Sequence, residues 1–228
     1  MTNEWQYYLL KITSRVICLL PYSWLLALGR LLGSLYYSVA ARQRERALSQ
    51  IMAGMRLSRP EAEQIIRSLF VKLGQTFLEV MYLPALNPAK TRDHIEIENR
   101  HYLDEALAQG KGVAVLSAHM GNWEWLGAGL SMYGFPVASI VKRQPNDQHT
   151  RIINEFRELV GIEIFSRGTT ELVAAAKAMK NGRVLGFFSD QDAGKNGVFV
   201  EFFGKMASTP VGLAVFARRL AVPVVPAF

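Results

Sequence analysis

Sulfur chemistry has little to work with in this chain, which carries one cysteine, Cys18, in 228 residues. A lone thiol closes no internal disulfide and builds no cysteine cage around a metal, so a reducing compartment fits best. Histidine is sparse as well. His94, His101, His119 and His149 are scattered without metal-ligand spacing. There is no internal repeat and no low-complexity tract. Walker, dinucleotide-binding and nucleophile-elbow patterns are missing, and "GAGLSMYG" at 127–134 has neither the spacing nor the preceding strand such motifs need. The N-terminal apolar runs are also short. Val16 to Gly29 gives 14 uncharged residues, interrupted by Pro21, and Leu31 to Ala41 gives 11 more before Arg42. Neither reaches the roughly 18 to 20 residues that span a bilayer. No small-residue cleavage site follows, which argues against a removed signal peptide.

What is present points elsewhere. Lys and Arg total 26 against 19 Asp and Glu, a formal charge of +7 with a pI near 9.6. Such a balance attracts nucleic acid, lipid headgroups or an acidic substrate. Nucleic acid is the least expected partner, because the basic residues cluster with aromatics in an apolar N-terminal segment instead of forming a groove-facing stripe. Trp5, Tyr7, Tyr8, Tyr22, Trp24, Tyr36 and Tyr37, followed by "RQRER" at 42–46, suit a segment lying in the interface of an anionic membrane. Residues 1–48 therefore read as membrane-anchor helices and 49–228 as the main domain. The alternative is a pair of ordinary core helices.

Beyond the anchor, "SRPE" opens a helix: Ser58 is the N-cap, Pro60 lies in the first turn and Glu61 completes a capping box. Ile66, Leu69, Leu73, Phe77 and Val80 then recur at helical steps and predict one buried stripe. After Pro84 and Pro88, strand-like runs at 112–118, 136–142, 162–166, 184–190 and 222–228 alternate with helical stretches near 121–133, 147–160, 170–181 and 208–220. "STPVG" reads as the start of the last helix, with Ser208 or Thr209 as N-cap and Pro210 in its first position. The alternation predicts an α/β fold with a mostly parallel central sheet flanked by helices, preceded by an N-terminal helical membrane-associating region. Because Phe228 ends the chain directly after a strand-like run, a domain truncated at its C-terminus is expected.

The most informative stretch is "LSAHMGNWEW" at 116–125. Inside one helix, five residues would separate His119 and Glu124 by about 140°. If a strand ends near His119, Gly121 turns the chain and a helix starts at about Asn122, Glu124 falls in the first helical turn and can fold back toward the imidazole. Its carboxylate would then hold one ring nitrogen while the other takes a proton from a hydroxyl. N–H groups near Gly121 and Asn122 would face a developing oxyanion. A core histidine and a solvated glutamate remain the plain alternative.

"LSAHMGNWEWLG" resembles the H-x4-D/E motif of membrane-associated acyltransferases, in the glutamate form typical of bacterial lipid A (lauroyl, myristoyl) acyltransferases. It is similar also to phosphatidylinositol mannoside acyltransferases. The resemblance continues in family order through "GKGVAVLSAH", "VKRQPND", "GIEIFSRG", "FFSDQDAG", "VEFFGKMASTPVG" and "VPVVPAF". It implies a glycerolipid acyltransferase-like fold and a membrane-associated O-acyltransferase acting at the cytoplasmic face of a bacterial inner membrane. The catalytic residues it implies are His119 as base and Glu124 as its partner. Substrate-binding roles fall to Asn122, Arg157, Arg167, Asp190 and Gln191, with Lys142, Arg143 and Asn146 lining the same cleft. Arg157 would touch phosphate or thioester, and Arg167 the acceptor phosphate. No cofactor or metal is implied; acyl carrier protein or coenzyme A brings the acyl group. Expected partners are acyl carrier protein, anionic membrane lipid and a phosphorylated glycolipid acceptor, most simply a lipid A precursor. Rival readings are a lysophospholipid or phosphatidylinositol mannoside acyltransferase, a metal-dependent lipid phosphate hydrolase using His119, Glu124 and Asp190, and a non-catalytic membrane-docking module.

Overall fold

Along the first central strand, Val113 and Val115 point into one hydrophobic cluster and Ala114 into another, and all three are buried. A strand covered on both faces belongs to the middle of a layered α/β structure. The computed structural model describes residues 4–141, 147–166 and 168–228. Lys142, Arg143, Asn146 and Arg167 lie outside the described residues.

Four helices come first: α1 (Glu4–Ile17), α2 (Tyr22–Val39), α3 (Ala41–Met55) and α4 (Arg59–Tyr82). Two short helices, α5 (Pro88–His94) and α6 (His101–Ala108), lead to β1 (Val113–Ser117), α7 (Trp123–Met132), β2 (Val137–Val141), α8 (Asp147–Leu159), β3 (Glu163–Ser166), α9 (Thr169–Lys180) and β4 (Val184–Phe188). A hairpin of β5 (Val198–Phe202) and β6 (Lys205–Thr209) precedes α10 (Gly212–Leu220) and β7 (Val224–Pro226). The main sheet has the order β3-β2-β4-β1-β7, and every pairing in it is parallel. This is the expected α/β architecture, and all five of its strands fall inside the expected runs.

One face of the sheet packs Val113, Val115, Val137 and Val184 against residues from α1, α2, α4, α6, α7 and α8. The other packs Ala114, Ala138, Leu185 and Phe187 against Ala175 and Met179 of α9 and Val222, with α10 covering them. Each large aliphatic side chain sealed in this way contributes about 1.5–3 kcal/mol. Tyr7, Ile17 and Leu25 belong to the first cluster, so the N-terminal helices share the core of the sheet.

Helices α2 and α4 meet through backbone. A Cβ on Gly33 would stand 2.3 Å from the Phe70 carbonyl oxygen, and one on Gly74 would stand 2.3 Å from that of Gly29. The capping box at the start of α4 is present, with the Ser58 N–H donating to Glu61 at 2.9 Å. The apolar stripe of α4, however, is not the single buried one expected. Ala62, Ile66, Phe70, Leu78 and Met81 face inward. Leu69, Leu73 and Phe77 are 44%, 41% and 57% exposed, in line with Ile65 on an open face. A helix of 24 residues has room for two apolar stripes, and periodicity alone does not say which one meets a neighbour. Apolar residues are exposed on α1 and α2 as well, among them Trp5, Ile12, Trp24, Leu31 and Leu35. No single helix among the described residues is long and apolar enough to cross a membrane. The α2–α3 pair passes that test only together, bent by 89°.

The region around 198–209 also departs from expectation. Ser208 and Thr209 are the end of β6 instead of a helix cap, and α10 starts later, at Gly212. Phe203 and Gly204 both have positive φ, 50° and 70°, which makes a two-residue hairpin turn of the kind that matches strand twist. That turn, with alternating Val198, Val200 and Phe202, outweighs the helix-start signal of "STP". Helices α5 and α6 were unanticipated, although Asn87 caps α5 by accepting from Ala89 and Lys90 N–H ahead of Pro88.

Candidate active site

Parallel strands deliver their C-terminal ends to one edge, where the chain must turn and where ligands enter open α/β sheets. β1 and β4 are neighbours, with Ser117 paired to Phe188, so the residues just beyond them meet. Beyond β1 come His119 and then Gly121, whose φ of +61° turns the chain as expected. Asn122 caps α7, its Oδ1 accepting from the Trp125 N–H at 3.1 Å, and Glu124 sits in the first turn. Beyond β4 come Asp190 and Gln191.

The side chains pair differently from the expectation. His119 turns to Asp190: Nδ1 lies 2.9 Å from Oδ1, and the backbone N–H of His119 donates to Oδ2 at 2.8 Å. Glu124 instead faces Arg157 of α8, accepting from Nε at 2.8 Å and from Nη2 in a bidentate pair. Arg157 Nη1 donates to Asn154 at 3.1 Å. The correction has a steric origin. Asp190 arrives from the adjacent strand level with His119, whereas the first turn of α7 carries Glu124 toward α8. The guanidinium edge that was expected to meet phosphate or thioester is thus occupied by Glu124.

Electrostatics differ between the two pairs. Glu124 and Arg157 are largely sealed, with side-chain exposures of 10% and 19%. Leaving either one alone there would strand a charge in a poorly solvated place. The His119 and Asp190 side chains are more open, at 30% and 34%. Burial alone would push the Asp190 carboxyl up. The hydrogen bonds from His119 outweigh it and hold the group below the ordinary carboxylate range.

A carboxylate only accepts, so Asp190 fixes the proton of a neutral imidazole on Nδ1 and leaves the lone pair on Nε2. That nitrogen has the Gln191 amide nitrogen 3.4 Å away, a long contact that an incoming hydroxyl can displace. Trp123 and Phe188 flank the ring, each with centroids at 4.9 Å. The arrangement is that of a general base: an oriented imidazole, a carboxylate behind it and an accessible nitrogen in front.

His119, Asp190 and Gln191 therefore come together, and Glu124 with Arg157 forms a second group on α7 and α8. Asn122 joins the two through the turn. Arg167 lies outside the described residues. Among the described residues no three His, Cys, Asp or Glu side chains are grouped to hold a metal ion, so the ligand set of the hydrolase reading is not assembled. Two features go beyond the sequence reading. Asp190, expected as a polar cleft residue, is the imidazole's partner. Glu79, which no motif marks, accepts from Asn122 Nδ2 at 2.8 Å. Its only sequence signal was an acidic residue among the apolar positions late in α4.

Comparison with known proteins gives a consistent picture. The family model described as bacterial lipid A biosynthesis acyltransferase matches residues 1–228. The chain is similar to a phosphatidylinositol mannoside acyltransferase of Mycobacterium tuberculosis (strain ATCC 25618 / H37Rv), 29% identical over 159 residues that cover 67% of this chain and 50% of that protein. A protein of the same description from Mycolicibacterium smegmatis is 24% identical over 168 residues, 72% of this chain and 55% of that one. A lipid A biosynthesis acyltransferase from Haemophilus influenzae is 22% identical over 193 residues, 83% and 60% of the two chains. The matched region spans about half to three-fifths of the length of these relatives.

Proposed function

We propose that this chain, which belongs to the bacterial lipid A biosynthesis acyltransferase family, moves a fatty acyl group from a thioester carrier to a hydroxyl of a phosphorylated glycolipid. The observation that carries this reading is the His119–Asp190 pair, with Nε2 facing outward at the edge of a parallel sheet. Nε2 takes the proton of the acceptor hydroxyl as its oxygen attacks the thioester carbonyl. Asp190 stabilises the imidazolium that forms. The tetrahedral oxyanion collapses, the carbon–sulfur bond breaks, and the departing thiolate receives the proton from Nε2. N–H groups of the turn at Gly121 and Asn122, at the positive end of α7, would stabilise the oxyanion in this scheme. Glu124 and Arg157 lock α7 to α8 behind this turn.

A cavity of about 1090 Å³ reaches the turn at Met120 and Gly121, and its wall mixes Trp125, Leu130 and Val225 with the charged Glu98 and Arg100; its apolar part is the room this reading gives to an acyl chain. No resident cofactor is needed in this scheme. Acyl carrier protein or coenzyme A supplies the acyl group, and the chain's positive charge favours both an acidic carrier and anionic lipid. The exposed Trp5, Ile12, Trp24, Leu31 and Leu35 of α1 and α2 favour reading residues 1–48 as a membrane-seating segment on the domain formed by 49–228, at the cytoplasmic face of the inner membrane.

A lipid A precursor is the favoured acceptor. A phosphatidylinositol mannoside is the second reading, favoured by the higher identity to the mycobacterial relative, 29% against 22%. Incubation with labelled acyl carrier protein and each purified lipid, followed by mass spectrometry, separates the two. A product heavier by one acyl group identifies the acceptor, and His119→Ala should lower its formation on the order of 10²-fold or more. No gain of mass in any lipid class, or full activity in the alanine variant, would sink the proposal.

A further inference from the structure

Glu79, near the end of α4, has both carboxylate oxygens engaged. Oε1 accepts from the Tyr22 hydroxyl at 2.5 Å and Oε2 from Asn122 Nδ2 at 2.8 Å. Its backbone carbonyl accepts from the Trp125 indole N–H at 2.8 Å. One residue thus touches the first residue of α2, the N-cap of α7 and the third residue of α7. The Tyr22 ring stacks on His94 at 4.2 Å and on Trp125 at 5.6 Å, which encloses the cluster. Burial, and then the bond to Glu79, push the Tyr22 phenol far above its ordinary value, so it stays a donor. The Asn122 amide has no freedom either. Oδ1 caps the helix, so Nδ2 must face an acceptor, and the carboxylate of Glu79 is one.

We infer that Glu79 is a positioning residue for the proposed transfer. By holding Asn122 and Trp125 it sets the turn that joins His119 to Glu124, and through Tyr22 it ties that setting to the seat of α2. A displacement of about 1 Å at such a turn can cost on the order of 10²-fold in rate. The kinetic part of this inference rests on the acyl-transfer reading; the geometric part does not.

The test exchanges hydrogen-bond polarity. Glu79→Ala should lower kcat at least about tenfold and change KM less than kcat, because Glu79 itself is not in the cavity wall and its backbone carbonyl, which alanine keeps, still holds Trp125. Asn122→Asp places two carboxylates face to face and should cost as much. Adding Glu79→Gln to Asn122→Asp should restore most of the turnover, since the glutamine Nε2 donates to the new carboxylate while its Oε1 still accepts from Tyr22. Amide hydrogen exchange in the first turn of α7 should quicken in both single variants and return to the wild-type rate in the double variant. A double variant no better than Asn122→Asp, or an unchanged kcat in Glu79→Ala, overturns the inference. Should the wild-type protein transfer no acyl group, the functional reading fails by itself, and exchange rates unmoved by either single substitution then overturn the positioning role.

Discussion

Asp190 grips His119 twice, accepting the backbone N–H at 2.8 Å and facing ring Nδ1 at 2.9 Å. The double contact fixes both where the ring starts and how it rotates. Asp190→Asn keeps the shape but can present a donor to Nδ1, which favours the wrong tautomer and removes the charge that stabilises imidazolium. Turnover should fall on the order of 10²-fold or more, with the thermal midpoint changed little. A steady-state assay beside a melting curve checks both halves, and unaltered turnover counts against the dyad.

The Glu124–Arg157 pair behaves differently because it is sealed. Arg157→Met leaves the carboxylate at 10% exposure without its cation, which should destabilise the fold by about 3–5 kcal/mol. Combining it with Glu124→Gln should recover much of that loss. Arg157→Lys should recover little, since a point charge cannot reproduce the two-pronged contact. Urea unfolding of wild type, Arg157→Met, Glu124→Gln and the double variant measures the coupling, with Arg157→Lys read beside them.

Gly74→Ala tests the contact between α2 and α4. Its methyl would enter space 2.3 Å from the Gly29 carbonyl and 2.5 Å from the Gly33 nitrogen, both backbone atoms. Destabilisation of about 1–3 kcal/mol is expected. A larger residue tolerated there without a shift in the urea midpoint would mean that the helices stand further apart.

Glu155 on α8 gives a pH signature. Burial would raise its carboxyl, but hydrogen bonds from Lys11 and Tyr7 outweigh burial and hold it below the ordinary value. A carboxyl lowered in the folded state contributes stability that is fully present above its unfolded value, near 4.3, and is lost as pH falls through the folded value. Glu155→Gln should therefore cost about 0.5–1 kcal/mol at pH 7, and the difference from wild type should begin to shrink as pH falls to about 4.3 and vanish once pH is below the lowered folded value. A gap that stays constant down to pH 3 would contradict the assigned role.

Membrane seating is measured separately. Leu31→Glu with Leu35→Glu places charge on the exposed face of α2 and should reduce sedimentation with anionic vesicles at least tenfold, at about 2.5–3.5 kcal/mol per charge buried at mid-bilayer depth and less near the surface. Undiminished binding would assign the membrane contact to another surface.

Much of this architecture is legible in the sequence because strands, turns and caps are local. The five apolar runs become the five parallel strands, and Gly121 and Asn122 make the turn that their residue types suggest. Pairing across the fold is not local. Asp190 reaches His119 from 71 positions away, and Glu79 reaches Asn122 from 43, so neither partnership leaves a spacing to read. The same holds for α4, where Leu69 and Phe70 are adjacent apolar residues and only the arrival of Tyr36 and Tyr37 on the Phe70 ring decides which of them is covered. The hairpin at 198–209 is hidden for a narrower reason: a serine, a threonine and a proline in sequence look like a helix start until the turn at Phe203 and Gly204 pairs the serine and threonine back along the preceding strand.

Because Gly29 and Gly33 sit against Gly74 with nothing but main chain between them, α2 and α4 have no side chains there that could re-pack and let one slide along the other. The outer surface of α2, with Trp24, Leu31 and Leu35, is therefore joined to the helix cap beside the imidazole by an unbroken run of contacts: main chain against main chain at the glycines, then Tyr22 to Glu79 and Glu79 to Asn122.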